Sequence, residues 1–142
     1  MRGYRIRIGT GAAALGLLAV LTGCDLPNGG RGRSNNPVVA MLVPAPEGNA
    51  KPVAAGHNAD GIDHMVREHW SKAAADFRRA LASDPMLAAA HFNLALALDQ
   101  LGARAEAETE FAAALRLAPD DARIARNELL NRYLPGAGQA GQ

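Results

Sequence analysis

The chain has 142 residues, 49% of them hydrophobic, with fifteen basic and fourteen acidic side chains and a single cysteine. Three of the basic residues, Arg2, Arg5 and Arg7, belong to an N-terminal leader, which leaves twelve against fourteen, a net of −2 before histidine, in the remainder. With no basic excess and no cluster beyond Arg78-Arg79, there is little to neutralise phosphates, which argues against nucleic acid as a partner and against electrostatic attraction to an anionic bilayer.

Residues 1–23 read as an export signal: the three arginines form a basic head, residues 8–21 an apolar run without charge, and Leu21-Thr22-Gly23-Cys24 the end. The run is too short to span a bilayer comfortably. The closing tetrapeptide resembles a bacterial lipobox, which implies that Cys24 carries palmitate-type acyl chains as the mature N-terminus; the other reading is an uncleaved signal anchor. Either places the folded part in the bacterial cell envelope on a membrane surface. Asp25 stands where some Gram-negative lipoproteins carry an inner-membrane retention residue, which implies the inner membrane, periplasmic face, ahead of the outer membrane.

Residues 24–53 are expected to be a flexible linker. Asn28-Gly29-Gly30-Arg31-Gly32-Arg33-Ser34-Asn35-Asn36-Pro37 consists of polar residues and chain breakers, and Pro44, Pro46 and Pro52 continue the interruption. A random tether of this length reaches about 30 Å. The apolar run at 38–43 is the exception, a docking segment or transient strand at most and otherwise an unstructured stretch between prolines.

From residue 54 to 134 the pattern turns helical, with five helices expected at about 55–67, 71–82, 86–101, 103–117 and 121–133. Within them one passage recurs: Phe77-Arg78-Arg79-Ala80-Leu81-Ala82-Ser83-Asp84-Pro85 returns thirty-four residues later as Phe111-Ala112-Ala113-Ala114-Leu115-Arg116-Leu117-Ala118-Pro119. Ala73, Phe77, Ala80 and Leu81 fall on one helix face, and Ala107, Phe111, Ala114 and Leu115 repeat that stripe. Small residues at such crossings let helix backbones approach while the phenylalanines fill the space between them. The fifth helix has no partner after it and reads as a solvating cap, with Asp120-Asp121 favourable at its start and Arg132 near its end. Residues 135–142 read as a disordered tail.

The period and these residues resemble the tetratricopeptide repeat family. The second copy, about 88–121, carries Leu94-Ala95, Gly102 at the turn, Ala107, Phe111, Ala114 and Pro119; the first, about 54–87, carries Gly61, Trp70, Ala73, Phe77, Ala80 and Pro85, with Glu68 where the family prefers a turn glycine. The resemblance implies an all-α fold of two helical hairpins plus a capping helix, a short α-solenoid. It also implies that the first helix of each hairpin lines a concave groove. That groove would show Asn58, Ile62, Met65 and Val66, then Phe92, Asn93, Leu96, Asp99 and Gln100, then Arg123, Arg126 and Asn127 from the cap. Leu94, Ala95 and Leu98 would point into the hairpin instead. Family members that clamp a peptide carboxylate use two asparagines and three basic residues, of which only Asn93 and Arg123 match.

Catalytic and metal chemistry is poorly provided for. Ser71 and Ser83 sit near expected helix ends, and there is no glycine-rich phosphate loop behind a strand. His57, His64, His69 and His91 lack the spacing that puts ligands on one helical turn, and Glu106, Glu108 and Glu110 spread around a solvated face. The expectation is therefore a membrane-tethered protein or peptide-binding module, without enzyme activity, metal or cofactor, acting as an assembly or scaffold factor for a secretion, pilus or envelope complex. The alternatives are a non-catalytic accessory subunit of an envelope enzyme and a self-oligomerising structural lipoprotein.

Overall fold

The structure, a computed structural model, describes residues 36–136. The leader, Cys24, Asp25, the first part of the expected linker and the end of the tail, 137–142, lie outside the described residues. Among the described residues all regular structure is helical: a 3-10 helix at Pro37–Met41, then α1 (Pro52–Val66), α2 (Trp70–Ser83), α3 (Ala88–Gln100), α4 (Arg104–Leu117), α5 (Ala122–Ala125) and α6 (Glu128–Tyr133). α1 pairs with α2 and α3 with α4 as two hairpins, and α2 packs on α3 to join them.

The period of thirty-four explains the layout. Ala73, Phe77 and Ala80 on α2 and their counterparts Ala107, Phe111 and Ala114 on α4 are fully buried. Gly61 on α1 lies so close to the Phe77 ring that a Cβ there would stand 2.5 Å from a ring carbon, so the hairpin's closest approach requires a residue without a side chain. α2 and α4 each end two residues before a proline, Pro85 and Pro119, since the residue before proline is pushed out of the helical region.

The two hairpin turns share one geometry with unequal residues. α3 closes with Ala103 N–H donating to the Leu98 carbonyl at 2.9 Å and Gly102 N–H to the Asp99 carbonyl at 3.0 Å. α1 closes with His69 N–H donating to His64 at 2.9 Å and Glu68 N–H to Met65 at 3.0 Å. This six-to-one and five-to-two pairing needs a left-handed residue at its apex. Gly102 takes it at φ 76°, and Glu68 takes it at φ 59°, where a Cβ is strained. A Cβ on Gly102 would meet nothing within 4 Å, so Gly102→Ala is expected to lose about 1 kcal/mol from backbone strain alone, and Glu68→Gly to relieve the same strain while giving up the side chain's own contacts. Urea unfolding of both variants measures this; equal midpoints for Gly102→Ala and wild type would rule it out.

The second hairpin is fastened to the first by His91. Its Nδ1 is 2.6 Å from a Glu110 oxygen on α4 and its Nε2 is 3.0 Å from the Pro85 carbonyl in the α2–α3 turn. Burial, the largest single influence, lowers the imidazole pKa, but the hydrogen bonds to Glu110 and Pro85 and the Glu110 charge together outweigh it and the opposing Arg116, leaving the pKa above the ordinary 6.5. A raised folded-state pKa adds stability that is full below the unfolded value and is lost as pH rises through the folded one. The melting-temperature advantage of wild type over His91→Gln should therefore narrow as pH is raised from about 6 to 8. An advantage constant across that range would show that the ring does not titrate in this contact.

Two expectations need correction. The linker does not remain free up to residue 53. Asn36 caps the 3-10 helix by accepting from Val38 N–H at 3.0 Å, Pro37 presets its first turn, and Val38 and Val43 are buried in the same core as α1 to α4. The apolar residues of this run bury surface that outweighs the entropy of ordering them. The cap is also not one helix over 121–134. Asn127 accepts from Leu129 N–H at 3.0 Å and Leu130 N–H at 3.3 Å, starting α6 afresh, while Asp121 accepts from Arg123 N–H at 2.9 Å to start α5. Side chains that hydrogen-bond their own following amides interrupt a helix at that point. Beyond α6 the chain turns at Gly136, φ 86°, so 135–136 are placed.

Candidate functional site

α1 and α3 lie side by side, and each presents an asparagine toward the segment at 36–46, here called the strap. Asn93, on α3, faces Val43 with both ends of its amide. Val43 N–H donates to Asn93 Oδ1 at 2.9 Å, and Asn93 Nδ2 donates to the Val43 carbonyl at 2.7 Å. The second Asn93 proton goes to Asn58 Oδ1 at 3.0 Å, and Asn58 Nδ2 completes the set to the Val43 carbonyl at 3.3 Å. Asn58 and Asn93 are 1% and 0% exposed, and Val43 is 1% exposed, so the cluster is dry and every amide function in it has a partner. The pair does to one residue of extended chain what a neighbouring β-strand does, engaging its N–H and its C=O together.

The remaining residues expected along the groove divide into three kinds. Met65, Phe92 and Leu96 are fully buried in the core and Ile62 packs against it, so they do not form an open floor. The expected division of α3 into a groove face and a hairpin face also fails, because Phe92, Asn93 and Leu96 are as buried as Leu94, Ala95 and Leu98. Phe92 packs edge-on against Phe111 of α4, inside the hairpin, while the strap covers Asn93. Asp99 and Gln100 lie at the C-terminal end of α3, where Gln100 Nε2 donates to Asp99 at 3.3 Å and Tyr133 O–H donates to Asp99 at 2.5 Å. Burial above all, and then the Asp99 carboxylate, raise the Tyr133 pKa above its ordinary value, with Arg104 opposing them. Asp99 thus anchors α6, helped by Arg104 lying 5.9 Å from the Tyr133 ring centre.

Arg123 and Asn127 serve their own helices. Arg123 donates to both Asp121 oxygens, at 3.0 and 2.7 Å. That hydrogen bonding is the main reason the Asp121 carboxyl sits below its usual range, and it holds the guanidinium above its own. Asn127 stands thirty-four residues after Asn93, yet its side chain caps α6, because the chain leaves the repeat geometry at Arg126. Arg123 is thus committed to Asp121 and Asn127 to α6.

Beside the clamp lies a cavity of about 370 Å³. Pro44 and Pro46 form its strap side, Asn49 the turn leading to α1, Met86 and Ala88 its α3 side, and Ile124 its α5 side. Met86, at its edge, is 70% exposed. The sequence marks 38–43 as a docking segment at most and does not single out Val43 as the partner of Asn93, because that contact spans fifty positions. The available signal was the apolar run at 38–43 inside an otherwise polar stretch.

Residues 58–122 match the family model described as tetratricopeptide repeat. Over these residues the chain is built of tetratricopeptide repeats. Its matched stretch begins at Asn58, one of the two clamp asparagines, and ends at Ala122, the first residue of α5. No curated protein and no solved structure shows significant similarity to the chain. Tetratricopeptide repeats are a protein–protein interaction fold, and this repeat pair already holds a piece of extended chain on its first-helix side.

Proposed function

We propose that this tetratricopeptide-repeat protein is a membrane-tethered docking module of the bacterial envelope, holding a segment of another protein for assembly of a secretion, pilus or envelope complex and catalysing no reaction itself. The observation that carries the reading is the Asn58–Asn93 clamp on the Val43 main chain. A surface that satisfies the N–H and C=O of an extended residue in a dry site is suited to binding peptide. The tether is read from the leader, with Cys24 as the acylated N-terminus. Lipidation with more than one chain makes attachment durable, at about 0.8 kcal/mol per buried methylene.

Cys24→Ser should leave an uncut precursor that takes up no radiolabelled palmitate, while the wild-type chain is labelled and fractionates with membrane. A wild-type chain that takes up no label would end the lipoprotein reading. Crosslinking in intact envelopes tests the docking role: wild-type chain should crosslink to a defined envelope protein, and a chain that crosslinks to none would leave the role without support.

A further inference from the structure

We propose that the seat formed by Asn58 and Asn93 is a receptor for an extended peptide from another protein that presents a β-branched aliphatic residue with its own N–H and C=O free, and that the strap occupies this seat in cis until such a peptide replaces it. The inference rests on the docking reading above and specifies what the module accepts.

The strap shows which chemistry the seat reads. The clamp hydrogen bonds to Val43 go to its main chain, at 2.7, 2.9 and 3.3 Å, so it selects backbone shape and not a polar side chain. Selectivity for the side chain comes from the buried space that Val43 fills at 1% exposure. A compact aliphatic group matches that space, whereas a charged one would lose its hydration without gaining a partner. Pro44, directly behind it, is exposed, so the chain leaves the seat at once.

The strap is also built to be exchanged. Residues 42–51, between the 3-10 helix and α1, contain no helix, and Pro44, Pro46, Glu47, Gly48 and Asn49 are exposed. Releasing Val43 therefore breaks no helix of either hairpin. Release without replacement is a different matter, because Asn58 and Asn93 would be left with unpaired amide groups next to Phe92 and Leu96. The seat therefore favours replacement over standing empty. A second copy of this chain offers only the strap's own chemistry, without the millimolar effective concentration that a short connection gives the strap in cis. A foreign segment replaces the strap where it binds strongly enough to outweigh that advantage, or where a larger assembly presents it locally.

The test uses the purified full-length chain in detergent and a fluorescein-labelled peptide of residues 36–47, read by anisotropy. Val43→Asp expels the strap and frees the seat, so this variant should bind the peptide at least about 10-fold more tightly than wild type, the cis competition having been removed. A peptide carrying the same Val43→Asp change should bind neither protein, and adding Asn93→Ala to the variant should abolish binding. If the variant alone has lost helix, the peptide should restore its circular dichroism. A folded variant that does not bind the peptide, or an unfolded one that the peptide does not rescue, would show that the strap is a fixed part of the fold and overturn the proposal. A wild-type dimer that Val43→Asp abolishes would overturn it in favour of a second copy as occupant. None of these failures touches crosslinking in intact envelopes, so the wider docking role stands or falls separately.

Discussion

Phe111→Ala is expected to destabilise the protein by about 3–5 kcal/mol, the usual range for emptying an aromatic site in a core. Phe111 has no exposed surface and lies between α3 and the cap. On one side its ring meets Phe92 of α3 edge-on at 5.5 Å, and on the other Tyr133 of α6 at 5.2 Å. Alanine would leave a void between α3, α4 and the cap that those rigid rings cannot close. Domains of this size hold only about 5–15 kcal/mol in total, so most of the margin is lost. Urea unfolding followed by circular dichroism gives the value, and a loss below about 1 kcal/mol would mean that the void collapses.

Asn93→Asp, an exchange of almost identical shape, should cost about 3 kcal/mol or more, because it places an unpaired charge in a dry site. The Nδ2 group of Asn93 donates to the Val43 carbonyl and to Asn58 Oδ1, both acceptors. A carboxylate has no proton for either, so two attractive contacts become repulsive, and neither oxygen can reach water at 0% exposure. Chemical denaturation near neutral pH should show the loss, and lowering the pH should return part of it as the new carboxyl takes up a proton that it can donate. A variant as stable as wild type at neutral pH would mean that the strap does not sit on Asn93 in solution.

The helices and their pairing are legible in the sequence because they arise from short-range rules repeated at a fixed spacing. Phe77 and Phe111, the flanking alanines, and the prolines at 85 and 119 all act within their own hairpin. The turn position also reads through, with Glu68 and Gly102 aligned by the period and both found at positive φ. What escapes such reading depends on contacts between distant residues. Nothing near Val43 announces that Asn58 and Asn93 will take up its N–H and C=O, and nothing around Asn93 says that its amide faces a neighbouring stretch of the same chain and not open solvent. The break between α5 and α6 is intermediate: Asn127 is a capping residue on its face, but the thirty-four-residue period favours continuing the helix, and the local hydrogen bonds to Leu129 and Leu130 prevail.

The burial of α3 on every side sets how the molecule comes apart. Long arrays of repeats fray from their ends, each unit leaning only on its neighbours. Here α2, α4 and the strap all meet on one helix whose residues from Phe92 to Leu98 have at most 3% of their surface exposed. Peeling away either hairpin uncovers that helix, so no intermediate with half of the array intact keeps its apolar surface hidden. Amide protons along the middle of α3 should therefore exchange with deuterium only through whole-molecule opening, at a single rate that tracks global stability, while those of α5 and α6 exchange sooner.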